Sequence, residues 1–435
     1  MTTNRKRGFY LVLGLSMIPA ILLFFLEPFS ESFESKTATF NTIGKLAGLI
    51  GMSLFALNFV FASRWKFLEK IIGPLDQQYY SHHMTGGAAL IFLLFHPIFL
   101  ALQFSPIGWQ YASSFLLDYS DPWIMLGRLA LFLLIGLLVI TFYGRWKYEN
   151  WKLSHKWLGL PLFLGGVHAF MVPSDISEHM SLKAVMASYI VLGMWALFWR
   201  TILKMYKNAE YIFTVEAINK ISDKITEVVL KPVGVMPHFM PGQFAFVNFQ
   251  SDGLVGETHP FSISSGPEED RLRFSIKSLG DFTEKMSKIT PGTSVRVEGP
   301  FGGFTYLDTQ IKRQIWIAGG IGITPFLAMS RHIQRNGIKD YKIDLFYSLV
   351  DRNDNAFVGE LESLSNSVSD FKFHPHYVSE SGYLTSDKFL SGMDDIGSVE
   401  IFLCGPPSFM DSLREQLSAR GVSHRHIHFE VFALQ

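Results

Sequence analysis

Four histidines carry the first sign of chemistry. His82, with His83 beside it, and His96 lie on one apolar segment; His155 and His168 lie on another. Imidazoles are costly in lipid and are rarely placed there without a task. Two on each of two segments is the number needed to grip two haem irons from both faces, an electron path across a bilayer. No Cys-x-x-Cys-His occurs, and Cys404 is the single cysteine. Thioether-linked haem, a cysteine-ligated iron–sulfur cluster and an internal disulfide are therefore excluded. Histidine remains as the axial ligand set.

The spacing bears on which imidazoles share an iron. His82 and His96 are 14 apart, which on a helix is about 21 Å of rise and a return to within roughly 40° of the same face. Both then sit near the edges of a hydrocarbon slab about 30 Å thick. His83 is 13 from His96, about 140° out of phase, so the phase favours His82 without removing His83. His155 and His168 are also 13 apart, with Pro161 between them. Proline deletes a backbone bond and distorts the helix, which supplies part of the missing rotation. Two crossings separate the segments, so they run the same way. His82 is then level with His155, and His96 with His168. Gly86-Gly87 and Gly165-Gly166 lie near them and would leave room for a porphyrin. Arg128, about 9 Å inside the fourth segment at 1.5 Å per residue, either meets an outer-haem propionate or snorkels to the surface.

Six apolar segments position these groups: 8–26, 42–62, 82–104, 122–142, 155–171 and 181–201. Each is read as a membrane helix. Basic residues gather in alternate loops: Arg5 to Arg7, Arg64 to Lys70, Arg145 to Lys156, and Arg200 to Lys207. The positive-inside rule then places both termini in the cytoplasm of a multi-pass protein of the inner (plasma) membrane, in contact with lipid. Arg5-Lys6-Arg7 precedes an apolar run with no small-x-small cleavage site, so the first segment reads as a retained span. The chain is neutral as a whole, yet residues 1–207 hold 17 basic against 10 acidic residues, about +7, leaving about −7 for the remainder. Nothing in it calls for nucleic acid or an obligate protein partner, and no EF-hand loop is present.

After Lys207 the texture changes. Short alternating runs at 212–218, 225–230, 243–249, 272–276 and 294–298, broken by Gly and Pro, predict an antiparallel β-barrel over 208–308. Residues 309–435 then read as strand, glycine loop and helix: Gln314 to Ala318, Gly319-Gly320-Ile321-Gly322, and Pro325 to Asn336, with Thr324 as N-cap and Pro325 as first helical residue. Further apolar runs at 342–349 and 400–403 complete a parallel-sheet α/β domain. The glycine loop between strand and helix suits a nucleotide phosphate. Gly280-Asp281-Phe282-Thr283 opens a predicted helix over 281–288, whose free amides suit a pyrophosphate.

The motifs follow a fixed order. Pro241-Gly242-Gln243-Phe244 precedes His259-Pro260-Phe261-Ser262. Lys277-Ser278-Leu279-Gly280-Asp281-Phe282-Thr283, Gly299-Pro300-Phe301-Gly302, Gly319 to Pro325, Cys404-Gly405-Pro406-Pro407 and Glu430-Val431-Phe432 follow. In this order they resemble the ferric reductase and NADPH oxidase superfamily across about 45–435, with the ferric reductase-like part over 45–202. The resemblance implies a six-helix transmembrane haem bundle (1–207) carrying a ferredoxin-reductase-type FAD and NAD(P) module. It implies FAD, two b-type haems, and NADPH or NADH. Ser262 would hydrogen-bond the flavin near its reactive nitrogen, with Phe261 packed on it and His259 facing it. Cys404 would lie beside the nicotinamide, and Phe432 would stack on the flavin, although Ala433-Leu434-Gln435 follow it where the family often ends. Arg352, after strand 342–349, would meet the 2′-phosphate of NADPH, with Ser348 assisting and Asp351 and Asp354 opposing.

The expected activity is a transmembrane NAD(P)H oxidoreductase delivering single electrons to an outside acceptor. Oxygen, giving superoxide, comes first because the outer loops are short and lack a chelate-binding cluster. A ferric chelate, or delivery to a quinone or periplasmic partner, is the alternative. A haem or metal transporter fused to a flavin sensor would instead show no b-type absorbance.

Overall fold

The computed structural model describes residues 3–430 apart from 28–31, 64, 66, 69–70, 72–74, 118–119, 145–147, 202–209, 252–257, 279–282, 284–285, 287–288, 339 and 392–395. Two compact units form, Asn4–Tyr206 and Lys207–Gln435, the second together with Met1–Thr3.

The first unit is helical. Helix α1 (Thr3–Ser16) breaks at Met17 and resumes as α2 (Ile18–Leu26). Pro19 explains the break: it has no amide hydrogen to continue the ladder and its ring clashes with the carbonyl four residues back. Then come α3 (Lys36–Ala62), α4 (Leu75–Leu102), α5 (Pro122–Tyr143), α6 (Tyr148–Lys156), α7 (Gly159–Met171) and α8 (Met180–Thr201). Ser35 caps α3 by accepting from the Ala38 amide, and Asp121 caps α5 through the Trp123 and Ile124 amides.

Five stretches are long and apolar enough to cross a membrane among the described residues: Gly8–Leu26, Lys36–Ala62, Gln78–Leu102, Pro122–Tyr143 and Met180–Trp199. The segment 155–171, also expected to span, is not one unbroken helix but the α6–α7 pair. Around the break, Trp157, Leu158 and Leu160 donate to Ser154, His155 and Trp157, three residues back rather than four. Pro161 has no hydrogen for Trp157's carbonyl, so the chain tightens into a 3₁₀-like turn just ahead of it.

Helix α3 is the most enclosed of these spans. Small residues let its neighbours approach: a Cβ on Gly51 would meet Leu93, and one on Gly193 would meet the Ala56 backbone. The lipid-suited surface lies on α5, where Phe132 is 70% and Phe142 67% exposed.

The second unit begins with six antiparallel strands: β1 (Glu210–Lys220), β2 (Ile225–Pro232), β3 (Phe244–Phe249), β4 (His259–Ser262), β5 (Leu272–Lys277) and β6 (Ser294–Phe301). Their order is β4-β3-β6-β1-β2-β5, and a bridge from Ile263 to Phe274 brings the two edges together, so the barrel is nearly closed. Alternation drives it: Phe213, Val228, Leu230, Val247, Phe249, Leu272, Phe274 and Val295 fill the inside.

The parallel sheet holds β7 (Arg313–Gly319), β8 (Lys342–Leu349), β9 (Phe371–Tyr377), β10 (Glu400–Cys404) and β11 (Ile427–Glu430), in the order β11-β10-β7-β8-β9. Helices α9 (Thr324–Asn336) and α10 (Pro407–Ala419) follow β7 and β10. Strand β7 starts the domain at the centre. Two strands add on one side of it and two on the other, so the direction reverses between β7 and β10. Crevices outside the carboxyl ends of strands at such a reversal bind ligands.

Candidate functional site

The helical unit brings the four histidines together in two pairs. The rings of His82 and His155 are 6.0 Å apart between centres, and those of His96 and His168 are 6.4 Å apart. Two metal–imidazole bonds of about 2.0–2.1 Å, plus a ring radius of about 1.1–1.2 Å on each side, separate ring centres by about 6.2–6.6 Å. The 6.4 Å pair falls inside that range and the 6.0 Å pair about 0.2 Å short of it, so with a small shift of one ring the residues present fit an iron held between each pair.

Hydrogen bonds set which nitrogen is free. His96 Nδ1 donates to the Gly44 carbonyl at 2.8 Å, His168 Nδ1 to the Trp123 carbonyl at 2.8 Å, and His82 Nδ1 to the Asn58 carbonyl at 3.2 Å. Each of these rings keeps Nε2 as its lone-pair donor. The carbonyls at 44 and 58 are 14 apart on α3, matching the 14 between His82 and His96 on the antiparallel neighbour α4. His83 is exposed, whereas His82 is the ring held by Asn58. His155 stacks against Trp151, centres 5.3 Å and planes 13° apart, and its buried Nδ1 has no partner among the described residues.

Glycines back two of the rings. A Cβ on Gly48 would come within 2.6 Å of His96 Nδ1, and one on Gly127 within 2.7 Å of His168 Nδ1. Sequence reasoning missed Gly44, Gly48, Asn58, Trp123, Gly127 and Trp151. Only Trp151 carried a signal, lying four residues before His155 and so on its face. Of the glycines expected to make room for a porphyrin, Gly87 has open space, while Gly86 abuts Asn58 and Gly166 abuts Ile190. Those two serve helix packing. Arg128 donates to the Phe115 carbonyl at 2.5 Å. Phe115 belongs to a short helix, Trp109–Leu117, inside a segment read from sequence as plain loop.

In the barrel, the His259-Pro260-Phe261-Ser262 motif is itself strand β4, paired with β3 from Val247 opposite His259 to Phe244 opposite Ser262. Ser262 Oγ is buried without a partner among the described residues. A buried hydroxyl left unmade costs free energy unless a ligand completes it, so this position fits a flavin heteroatom. Phe261 packs edge-on to Phe274. Gly280, Asp281 and Phe282 lie outside the described residues, as does Phe432; Thr283 is described.

The nucleotide crevice forms where β7 and β10 end. Ala318 pairs with Cys404, which sets Gly319 level with Gly405. A Cβ on Gly322 would strike the Cys404 carbonyl, and one on Gly405 would lie 3.2 Å from Gly319 Cα. The two loops thus pack backbone on backbone beneath Pro406, which lies against Gly319. Gly320 takes a positive φ of 53°, and the Lys277 ammonium lies 3.8 Å from where its Cβ would stand. That charge, beside the amides of the Gly320–Ile323 turn, suits a pyrophosphate. The turn runs straight into α9, so Thr324 is its first residue and Ile323 the cap position. Thr324 does not cap α9 as expected; its hydroxyl donates to the Ile321 carbonyl at 3.1 Å, and Pro325 is second. Cys404 is fully buried, and burial with the nearby Glu430 charge pushes its thiol well up. Arg352 is bound bidentately by Glu380 at 2.6 and 3.1 Å and lies over the Tyr377 ring.

Arg331 ties the barrel to the nucleotide domain. From α9 it donates to Glu360 at 2.7 and 2.9 Å, to Glu227 of β2 at 3.2 Å and to the Ser264 carbonyl at 2.8 Å.

Fold and site define a membrane-bound flavoprotein oxidoreductase. The ferric reductase like transmembrane component family matches residues 47–167, an FAD-binding domain family 210–305, and an oxidoreductase NAD-binding domain family 316–415. The chain therefore has the ferric reductase/NADPH oxidase-type architecture. Among curated relatives, the toluate 1,2-dioxygenase electron transfer component of Pseudomonas putida is 28% identical over 243 residues, 52% of this chain and 69% of that protein. A flavohemoprotein of Xylella fastidiosa is 27% identical over 227 residues, 48% of this chain and 56% of its own length. The FAD/NAD-binding domain of nitric oxide dioxygenase from Vibrio cholerae aligns with a TM-score of 0.45 at 24% identity, over 51% of this chain and 98% of that one.

Proposed function

We infer that the protein carries electrons from cytoplasmic NAD(P)H, through FAD and two b-type haems, to a one-electron acceptor across the inner (plasma) membrane. Oxygen, giving superoxide, is first among the acceptors. The reading rests on the two facing imidazole pairs, 6.0 and 6.4 Å between ring centres, on a chain that also carries the flavin and nicotinamide domains. When bound, FAD turns a hydride into single electrons and the haems convey them through the lipid. The chain's own groups do the rest. His82 and His155 hold the inner haem; His96 and His168 hold the outer. With an imidazole supplied to each face, a bound haem would keep no open iron position, so an acceptor would take one electron at a time without ligating the metal. Ser262 would donate to the flavin near its reactive nitrogen, with Phe261 and His259 beside it, and Phe432 is the residue proposed for the face of the flavin ring. Gly319 to Gly322 and Lys277 receive the dinucleotide phosphates, and Cys404 borders the nicotinamide. Both termini lie in the cytoplasm.

The test is cytochrome c reduction by purified, haem-loaded protein, with and without superoxide dismutase, beside a ferrozine assay. Loss of signal with dismutase supports oxygen as acceptor. A dismutase-insensitive signal with rapid ferrozine colour moves the reading to ferric chelate. The electron-transfer role in the first relative's name supports a second reading, delivery to a partner, which predicts slow turnover in both assays.

A further inference from the structure

The two imidazole pairs are not held alike. At the His96–His168 site, both Nδ1 atoms donate to helix carbonyls at 2.8 Å. At the His82–His155 site, one bond is 3.2 Å long and the other imidazole has no acceptor among the described residues, only the Trp151 ring stacked on it.

The cause of the difference is local. The acceptor of His96 is Gly44, and the residue one helical turn on is Gly48; the acceptor of His168 is Trp123, and one turn on is Gly127. At both positions the three atoms nearest to an added Cβ all belong to the imidazole, at 2.6–3.2 Å for Gly48 and 2.7–2.8 Å for Gly127. The absent side chain is what lets the ring come down onto the carbonyl. Where Asn58 holds His82, the corresponding position is Ala62, and the bond lengthens to 3.2 Å.

Resting on the haem reading above, we propose that Gly48 and Gly127 are positioning residues that give the outer haem two strongly hydrogen-bonded imidazoles and leave the inner haem's pair weakly bonded. An Nδ1–H bond to a carbonyl raises the basicity of Nε2. A more basic ligand favours the ferric form, so this asymmetry lowers the outer haem's midpoint potential relative to the inner. An electron then rests on the inner haem, and the last transfer waits on the acceptor.

The experiment is a redox titration of the full-length, haem-loaded protein at fixed pH, read by optical and EPR spectra, with no turnover required. His168→Ala identifies the outer haem: the component it removes should be the lower-potential one. Gly48→Ala and Gly127→Ala should each raise the outer midpoint, or loosen that haem by the roughly 10- to 100-fold typical of a lost ligand partner. The inner signal should stay as it was. Gly14→Ala, with nothing within 4 Å of its added methyl, should change neither haem. If His168→Ala removes the higher-potential component, or if both glycine variants titrate as wild type, the inference is overturned. A protein that binds no haem, or keeps two in His168→Ala, overturns the underlying reading instead.

Discussion

Replacing Arg331 with methionine should be the most damaging single change in the flavin and nicotinamide unit outside the cofactor contacts. Arg331 is 7% exposed and its partner Glu227 is 3% exposed. Its guanidinium makes bonds of 2.7–3.2 Å to Glu360, Glu227 and the Ser264 carbonyl. Methionine keeps much of the volume but strands the Glu227 carboxylate; Arg273, at 3.6 Å, compensates it only in part. Removing one partner of a buried pair costs about 3–5 kcal/mol. For a unit of this size, each kcal/mol moves the midpoint by about 2–4 °C, giving a drop of roughly 6–20 °C. The assay is release of flavin fluorescence on heating the detergent-solubilised full chain. Glu360 is 37% exposed on its side chain, so Glu360→Gln should cost under about 1 kcal/mol. The Arg331→Met/Glu227→Met pair should recover much of the loss, since it leaves no buried charge. Function should follow. Ser264 lies two residues past Ser262, and α9 begins on the nucleotide loop, so the staple fixes flavin site against nicotinamide site. A displacement of about 1 Å can cost about 100-fold in rate, readable as slower flavin bleaching by NAD(P)H in stopped flow. An Arg331→Met protein within 2 °C (roughly 1 kcal/mol or less) of wild type would refute the reasoning.

Ser262→Ala should barely change stability, because its Oγ has no protein partner among the described residues, yet should slow flavin reduction by about 10²–10³, as for a lost donor aimed at developing charge; an unchanged rate removes Ser262 from the flavin site. Cys404, buried and with its thiol pushed up, should resist iodoacetamide at pH 8 in the folded protein and react after unfolding, a difference read by mass spectrometry. Burial pushes the Glu400 carboxyl up, but hydrogen bonds from His428 at 2.7 Å and His426 at 3.3 Å hold it below the usual glutamate range. Its contribution is therefore complete above about pH 4.3 and is lost as pH falls through the lowered folded value. Glu400→Gln should flatten that acid limb of the stability curve, and an unaltered limb counts against the pairing.

Much of the architecture was legible because hydrophobic period and turn chemistry are local. Five of the six barrel strands, the β7–loop–α9 unit and four unbroken spans appear where alternation, glycine and apolar length placed them. Strands β4, β9 and β11 escaped notice, since Phe371–Tyr377 carries two histidines and a proline and His259–Ser262 and Ile427–Glu430 are only four residues long. The segment 155–171 differs from the expected single helix for a chemical reason: Pro161 tightens the preceding turn enough to divide it. The pairing of Arg352 with Glu380 was not legible because the two lie 28 residues apart in sequence.

What the sequence by itself determined was the inventory: four membrane histidines at spacings of 14 and 13, a single cysteine, and an ordered set of flavin and nucleotide motifs. Those follow from residue type and helical phase. Only the tertiary structure decided which rings face each other, and that His82 rather than His83 is the one held. It also decided that helix carbonyls fix three of the four tautomers, and that Arg128 turns to Phe115. Each depends on how closely two backbones approach, and that distance is set by small residues on neighbouring helices, far from the histidines in the chain.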